Sequence, residues 1–257
     1  MSYQNVFKRY ELKYLITKEE KYRLFETMKE YMEPDEYGKG TISNIYFDTP
    51  DKLLIRRSLD SPVYKEKLRV RSYGVPNTES TVFIEIKKKY NGIVYKRRIG
   101  LREKVATNYL IKGIPILNQN QILREIDYLM DIYRDIEPSI FLSYDREAFA
   151  SKIDENFRMT FDENILTRDY DLSLNSGIYG ESNIPEGMVV LEVKTVFGIP
   201  RWLLEFFSEN RIYKTSFSKY GNAYTNFMLP KFLNKDSLSK DRHIKKVVNK
   251  GGVEDVA

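Results

Sequence analysis

In the stretch KEKLRVRS, residues 65–72, a cation falls on every second position: Lys65, Lys67, Arg69 and Arg71. Side chains alternate across a β-strand, so these four share one face, with Glu66, Leu68 and Val70 on the other. Three further stretches set a carboxylate two residues before a lysine: Glu11 and Lys13, Glu85 and Lys87, Glu192 and Lys194. Each is backed by apolar residues of the opposite parity, such as Leu12, Ile86 and Val193. Lys89, Lys96, Arg98, Arg146 and Arg158 extend the charged faces onto further candidate strands. Together the faces carry twelve cations against four carboxylates (Glu11, Glu85, Asp162 and Glu192). That excess of eight exceeds the +5 of the whole chain, so the basicity is concentrated on these faces.

An antiparallel sheet with one face in water also alternates. It explains the segregation of sign poorly, because like charges opposed on neighbouring strands destabilise the pair. A closed barrel, apolar outside under helices and cationic inside, explains both. Unpaired buried cations cost several kcal/mol each, so such an interior must hold water and a polyanion. Arginine's planar fork and lysine's point charge both suit phosphate. The few carboxylates then suit Mg²⁺ or Mn²⁺ bridging to phosphate oxygens. Asp162, in TFDEN, is read instead as shaping a turn.

Composition narrows the chemistry further. There is no cysteine, which excludes disulfides and thiolate zinc sites and fits a reducing, cytoplasmic setting. The single histidine, His243, lies in a polar stretch, so histidine acid–base chemistry and histidine metal sites are not expected. No apolar run approaches the roughly 18 residues of a membrane span, and the N-terminus lacks the apolar core of a secretion signal. The 20 Tyr and 14 Phe favour strands, and they fall mostly on the apolar parity or in helices rather than among the cations. No nucleic-acid partner is therefore expected.

The elements that must position these residues are legible in outline. Eight stretches alternate as strands: 8–16, 42–48, 63–73, 81–89, 93–101, 139–150, 156–162 and 188–196. Tyr90-Asn91-Gly92 reads as a hairpin turn. Thr17 and Glu20 form a capping-box signature before one helix; others are expected over 118–133, after Pro200, and over 218–229. Arg97 stands as an isolated charge on an apolar parity, and Trp202 is read as core. The expected architecture is α+β: an eight-stranded antiparallel β-barrel with helices packed outside, in one domain over residues 1–232. Residues 233–257 are read as a flexible polar tail.

The ordered set RYELKYLI, SNIYFDTP, KLRVRSYG, VFIEIKKK, YKRR, LSYDREAF, RMTFDENI, VLEVKT and SFSKYGNAY resembles the VTC domain of polyphosphate polymerases, within the triphosphate tunnel metalloenzyme superfamily. The chain resembles a stand-alone, prokaryote-type member. The resemblance implies a tunnel that binds a nucleoside triphosphate such as ATP together with polyphosphate or pyrophosphate. It implies Mn²⁺ or Mg²⁺ on Glu192, with Glu11 and Glu85 as further ligands. It implies Arg69, Arg71, Arg146 and Lys87 at the transferred phosphoryl group. Lys13, Lys67, Lys96, Arg98, Arg158, Lys194 and Lys219 would complete the phosphate cradle. The family's second lysine, three residues before Lys219, is Ser216 here, with Lys214 as a candidate substitute. Tyr46 and Asp48 match family positions without an assigned role. Polyphosphate synthesis is the expected activity; triphosphate hydrolysis in the same tunnel and a non-catalytic polyphosphate-binding module are the alternatives. A membrane protein partner is compatible with the resemblance but not visible in the sequence.

Overall fold

The computed structural model describes residues 10–60, 63–91 and 93–233. Residues 234–257 of the expected tail, His243 included, lie outside them. Ten strands form one antiparallel sheet: β1 (Tyr10–Thr17), β2 (Met32–Asp48), β3 (Tyr64–Tyr73), β4 (Thr81–Tyr90), β5 (Ile93–Arg102), β6 (Glu137–Ser151), β7 (Arg158–Arg168), β8 (Glu181–Ser182), β9 (Met188–Thr195) and β10 (Lys214–Thr215). Eight are long and coincide with the eight stretches read from alternation; β8 and β10 are two-residue additions. The order is β10-β1-β9-β7-β6-β2-β3-β4-β5, with β8 beside β7.

The sheet curls strongly but is not closed by hydrogen bonds. Five strands separate β1 from β4, yet Glu11 on β1 and Lys87 on β4 meet at 3.5 Å. Closure would require β1 to pair with β5. The second edge of β1 is instead taken by β10, which pairs Lys13 with Thr215 and Tyr14 with Lys214. The expected barrel is thus a curled sheet whose gap is bridged by side chains.

Helices cover the outside. α1 (Lys18–Met28) starts at the Thr17 capping box, with the Thr17 hydroxyl accepting from Glu20 N and the Glu20 carboxylate from Thr17 N. With α5 (Arg201–Glu209) it buries Leu24, Met28, Leu203 and Phe206 against the outer faces of β1, β7 and β9. Trp202 packs at the edge of this cluster, stacked on Tyr31 at 4.8 Å. α3 (Glu103–Lys112) and α4 (Gln121–Ile132) bury Ala106, Leu110, Ile126 and Leu129 against the outer faces of β3 and β4. Burying such a side chain contributes roughly 1.5–3 kcal/mol. Arg97, outward on β5, meets Glu125 of α4 at 3.5 Å, which explains a charge on the apolar parity.

Two helices escaped the sequence reading. α3 follows β5 directly and has no side-chain cap. α2 (Leu53–Leu59) begins after Lys52 at φ 60°, and its cap comes from upstream, where the Asp48 carboxylate accepts from Leu54 N and Ile55 N. α6 (Lys219–Ala223) runs into a π-turn over Tyr224–Met228. A Cβ on Gly221 would come within 3.0 Å of Leu59, so glycine permits α6 to lie on α2. A third core cluster joins these helices to the inner face of the sheet: Ile55, Tyr220 and Ala223 pack on Ile42, Tyr46, Leu142, Tyr144 and Val190. It stoppers one end of the bore.

Candidate functional site: a cationic bore

Every long strand sends side chains inward. The β3 face carries Lys65, Lys67, Arg69 and Arg71, opposed in the β3–β4 ladder by Lys89, Lys87, Glu85 and Phe83. Lys96 and Arg98 of β5 stand opposite Lys87 and Glu85. Glu11 and Lys13 stand opposite Lys194 and Glu192, and Arg158 opposite Lys194. The inward parity of β7 changes at a bulge near Asn164, whose φ of 49° is tolerated by asparagine. Asp162 lies before it and faces the bore; Ile165 lies after it and joins the stopper.

One group of cations gathers around Glu85, a carboxylate only 1% exposed. Arg69 Nε donates to Glu85 Oε2 at 2.8 Å and Arg69 Nη1 to the Tyr46 hydroxyl at 2.8 Å. Lys96 and Arg98 approach Oε1 at 3.1 and 3.7 Å, though neither makes a well-directed hydrogen bond to it. Arg71 donates to Asn44 Oδ1 at 3.0 Å and to the Tyr144 hydroxyl at 3.2 Å. Burial alone would raise Glu85; Arg69, Arg71 and Lys96 outweigh it and bring the carboxyl to about 2.

A second group lies around Asp162 and Glu192, deeper in the bore. Arg146 grips Asp162 with both prongs, Nε to Oδ1 at 2.6 Å and Nη2 to Oδ2 at 2.7 Å. Its Nη2 also reaches Glu192 at 3.3 Å. Lys219, from the first turn of α6, contacts Asp162 at 2.5 Å and Glu192 at 3.1 Å. Lys13 reaches Glu192 at 3.4 Å and Glu11 at 3.7 Å. Burial works against the Lys219 charge, but Asp162 and Glu192 outweigh it and raise the ammonium above its ordinary range. Asp162 is therefore a buried ion-pair anchor within β7, a correction to its reading as a turn residue. The signal available in the sequence was its shared parity with Arg158.

A third set has little or no carboxylate. Lys67 lies between Lys87 on the neighbouring strand and the Tyr220 ring, 6.0 Å away, and makes no ion pair among the described residues. The same holds for Lys194 and Arg158, which oppose one another. Burial, then Lys87, Lys13 and Lys65, depress Lys67 to about 8 despite Tyr46 nearby. Burial would raise the Tyr46 phenol; Arg69, Lys67 and Arg71 outweigh it and lower it to about 8. Tyr46 is a site residue to which the sequence had assigned no role.

Lys214 does not stand in for the family's second lysine. It opposes Tyr14, whose ring packs in the outer core, so its side chain is directed away from the bore. Among the described residues, no group of three or more carboxylate, histidine or cysteine side chains is placed to hold a metal. Glu11 and Glu192 share Lys13, whereas Glu85 is apart from them, enclosed by its own cations.

The site is thus a curled antiparallel sheet, cationic within and helix-clad without. The VTC domain family matches residues 8–228, and the chain belongs to that family. No curated protein sequence matches the chain. The fold is similar to the crystal structure of an adenylate cyclase candidate from Bacillus halodurans. The two are 17% identical, over 84% of this chain and 95% of that one, with a TM-score of 0.52. An adenylyl cyclase candidate from Hippeastrum, described as having dominant triphosphatase activity, is 16% identical. That match covers 82% of this chain and 92% of that one, with a TM-score of 0.48. No helix among the described residues is long and apolar enough to cross a membrane.

Proposed function

We propose that the bore catalyses metal-dependent phosphoryl transfer from a nucleoside triphosphate such as ATP to the end of a polyphosphate chain. The observation that carries this reading is the row of like charges, Lys67 opposite Lys87 opposite Lys96, on the inner face of the sheet, where Glu11 reaches Lys87 and Glu85 reaches Lys96 but no carboxylate reaches Lys67 among the described residues. Neighbouring like charges destabilise a sheet unless an anion intervenes. A phosphate chain supplies negative charge at regular spacing along such a row.

In the transfer, an oxygen of the chain's terminal phosphate attacks the γ-phosphorus of the nucleotide. The bond from that phosphorus to the β,γ-bridging oxygen breaks, and nucleoside diphosphate leaves. The acceptor oxygen is already anionic, so no histidine base is required. Positioning and charge neutralisation carry most of the catalysis in phosphoryl transfer. Arg69, Arg71, Arg146 and Lys87 serve this purpose at the transferred group. Lys13, Lys67, Lys96, Arg98, Arg158, Lys194 and Lys219 hold the remaining phosphates.

Mg²⁺ and Mn²⁺ commonly take one or two carboxylates and complete their shell with phosphate oxygens and water. Glu192 and Glu11, joined through Lys13, fit that pattern. Glu192 also meets Lys219 and Arg146, but its neighbour Glu11 is partly exposed, whereas Glu85 is fully buried among Arg69, Lys96 and Arg98. A bound divalent ion supplies further neutralisation of charge on the phosphates.

Purified protein given ATP and Mn²⁺ should form acid-insoluble phosphate polymer, and Glu192→Ala should not. Absence of polymer from the wild-type protein would overturn the reading. Hydrolysis of triphosphate in the same bore is a second reading, favoured by Ser216 at the family's lysine position and by the outward direction of Lys214. Free phosphate without polymer would support it.

A further inference from the structure

The cationic lining ends abruptly along β1. Leu15 follows Lys13 on the same face, about 7 Å further along the strand. There a cavity of about 610 Å³ opens between β1, the β8–β9 connection, β10 and α6. None of its lining residues is charged. Its volume lies within the roughly 300–1,000 Å³ of small-molecule sites.

The lining is polar and apolar in a particular mixture. Asn183, Asn222 and Asn226 supply amides, Thr215 a hydroxyl, and Leu15 and Phe217 the apolar walls. Asn222 and Asn226 are four residues apart on the α6 segment, so they present amides on one side of it. Asn183 is 2% exposed, and its Oδ1 has no hydrogen-bond partner. Its Nδ2 donates to the carbonyl of Lys219 at 2.7 Å. Such an amide is an orphan acceptor, shielded as placed, that a ligand N–H or O–H can satisfy once the side chain turns toward the cavity.

Two connections tie the cavity to the cations. Thr215 opposes Lys13 in the β1–β10 ladder, so the two side chains share a face. Lys219, whose carbonyl holds Asn183, extends its ammonium to Asp162 and Glu192 in the bore. A neutral hydrogen-bonding chamber therefore abuts a cationic one. A nucleotide has the same two halves, a neutral base and sugar joined to a polyanion.

We infer that this uncharged cavity receives the base and ribose of the nucleoside triphosphate, while its phosphates extend past Lys13 and Lys219 into the bore. The inference rests on the nucleotide reading proposed above and adds to it the site of the nucleoside. It makes the amides of Asn183, Asn222 and Asn226 the groups that distinguish a nucleotide from inorganic polyphosphate.

Titration calorimetry with ATP and with inorganic tripolyphosphate separates the two halves. The wild-type protein should bind ATP more tightly than tripolyphosphate. Asn222→Ala combined with Asn226→Ala should weaken ATP about tenfold and leave tripolyphosphate unchanged, the scale of one or two lost hydrogen bonds. Asn183→Ala should act in the same direction, with tripolyphosphate binding as the check on folding. If the surface pair Asn222 and Asn226 can be removed without effect on ATP, or if both ligands weaken equally, the inference is overturned. It is also overturned if the nucleoside adds no affinity in the wild type. Nucleotide discrimination that persists without polymer formation would instead sink the polymerase reading and leave the nucleoside site standing.

Discussion

Two regions of the same bore treat positive charge in opposite ways. Around Asp162 and Glu192, each cation meets a carboxylate within 3.4 Å: Arg146 with both prongs, Lys219 on two acids, Lys13 on one. Along β3 and β4, Lys65 opposes Lys89 and Lys67 opposes Lys87, and of these four only Lys87 meets a carboxylate, Glu11 at 3.5 Å. In the first region the chain supplies its own counter-charge, so the cations are held in place before any ligand arrives. In the second the counter-charge is left for a ligand to bring. The paired region is thus a pre-organised scaffold that also offers Arg146, Lys13 and Lys219 to phosphate, and the sparsely paired row is the part of the receptor that a ligand must complete.

The comparison breaks most visibly at Asp162, which is fully buried between Arg146 and Lys219. Asp162→Ala removes one partner and leaves Arg146 and Lys219 to share Glu192. Breaking a buried pair in this way costs about 3–5 kcal/mol. Urea unfolding of the ligand-free protein should report a loss of that size, partly restored by tripolyphosphate, which stabilises by binding the folded state. A loss below about 1 kcal/mol would mean that this region is not the scaffold described.

Lys67→Met tests the other region and should have the reverse sign. Removing a half-buried cation without a carboxylate partner should raise ligand-free stability by up to about 1 kcal/mol. The same change should weaken tripolyphosphate at least tenfold. Stability and affinity measured on one preparation decide the matter, since a variant that loses both would place Lys67 with the scaffold.

The pH dependence extends that contrast without mutation. Lys67 titrates at about 8 in the folded protein against an ordinary 10.5. Tyr46 titrates at about 8 against an ordinary 10. In both cases the unfolded chain holds its proton to higher pH, so stability rises as pH increases from about 8 to 10. Across the same window Lys67 loses positive charge and Tyr46 gains negative charge, so polyanion affinity must fall. Ligand-free melting and tripolyphosphate titrations between pH 7 and 10 should therefore diverge. Parallel curves would remove Lys67 and Tyr46 from the receptor row.

The receptor row was legible in the sequence and the scaffold was only half so. Alternation alone placed Lys65, Lys67 and Lys87 of that row, and Arg69, Arg71, Lys96 and Arg98 around Glu85, on inner faces, because parity is a property of the strand itself. The Glu-x-Lys stretches likewise placed Glu11 with Lys13 and Glu192 with Lys194 on inner faces, while the adjacency of Glu192 and Lys13 comes from the β1–β9 pairing. Asp162 was misread because TFDEN has turn-like composition, and the bulge at Asn164 that ends its parity is set by backbone geometry rather than by residue type. Lys219 acquires its partners only when α6 folds over the end of the sheet, a contact with no local signature. The same holds for α2, whose cap is donated by Asp48 from the strand before it. Closure failed to follow from strand count because a two-residue strand, β10, occupies the edge of β1.

Lys96 sharpens the comparison because it meets a carboxylate, as the cations of the first region do, yet stands in line with the second. It opposes Lys87 in the ladder, yet its ammonium lies 3.1 Å from Glu85 Oε1. Its side chain is 46% exposed, so solvent screens both interactions. Lys96→Ala removes an attraction and a repulsion together, and Glu85 keeps Arg69 at 2.6 Å. Ligand-free stability should therefore change by less than about 1 kcal/mol. Tripolyphosphate affinity should fall by a few fold, less than for Lys67→Met, and the deficit should shrink in high salt as screening removes what Lys96 contributed. A destabilisation matching that of Asp162→Ala would show instead that Glu85 depends on Lys96, and that the boundary between scaffold and receptor runs on the other side of β5.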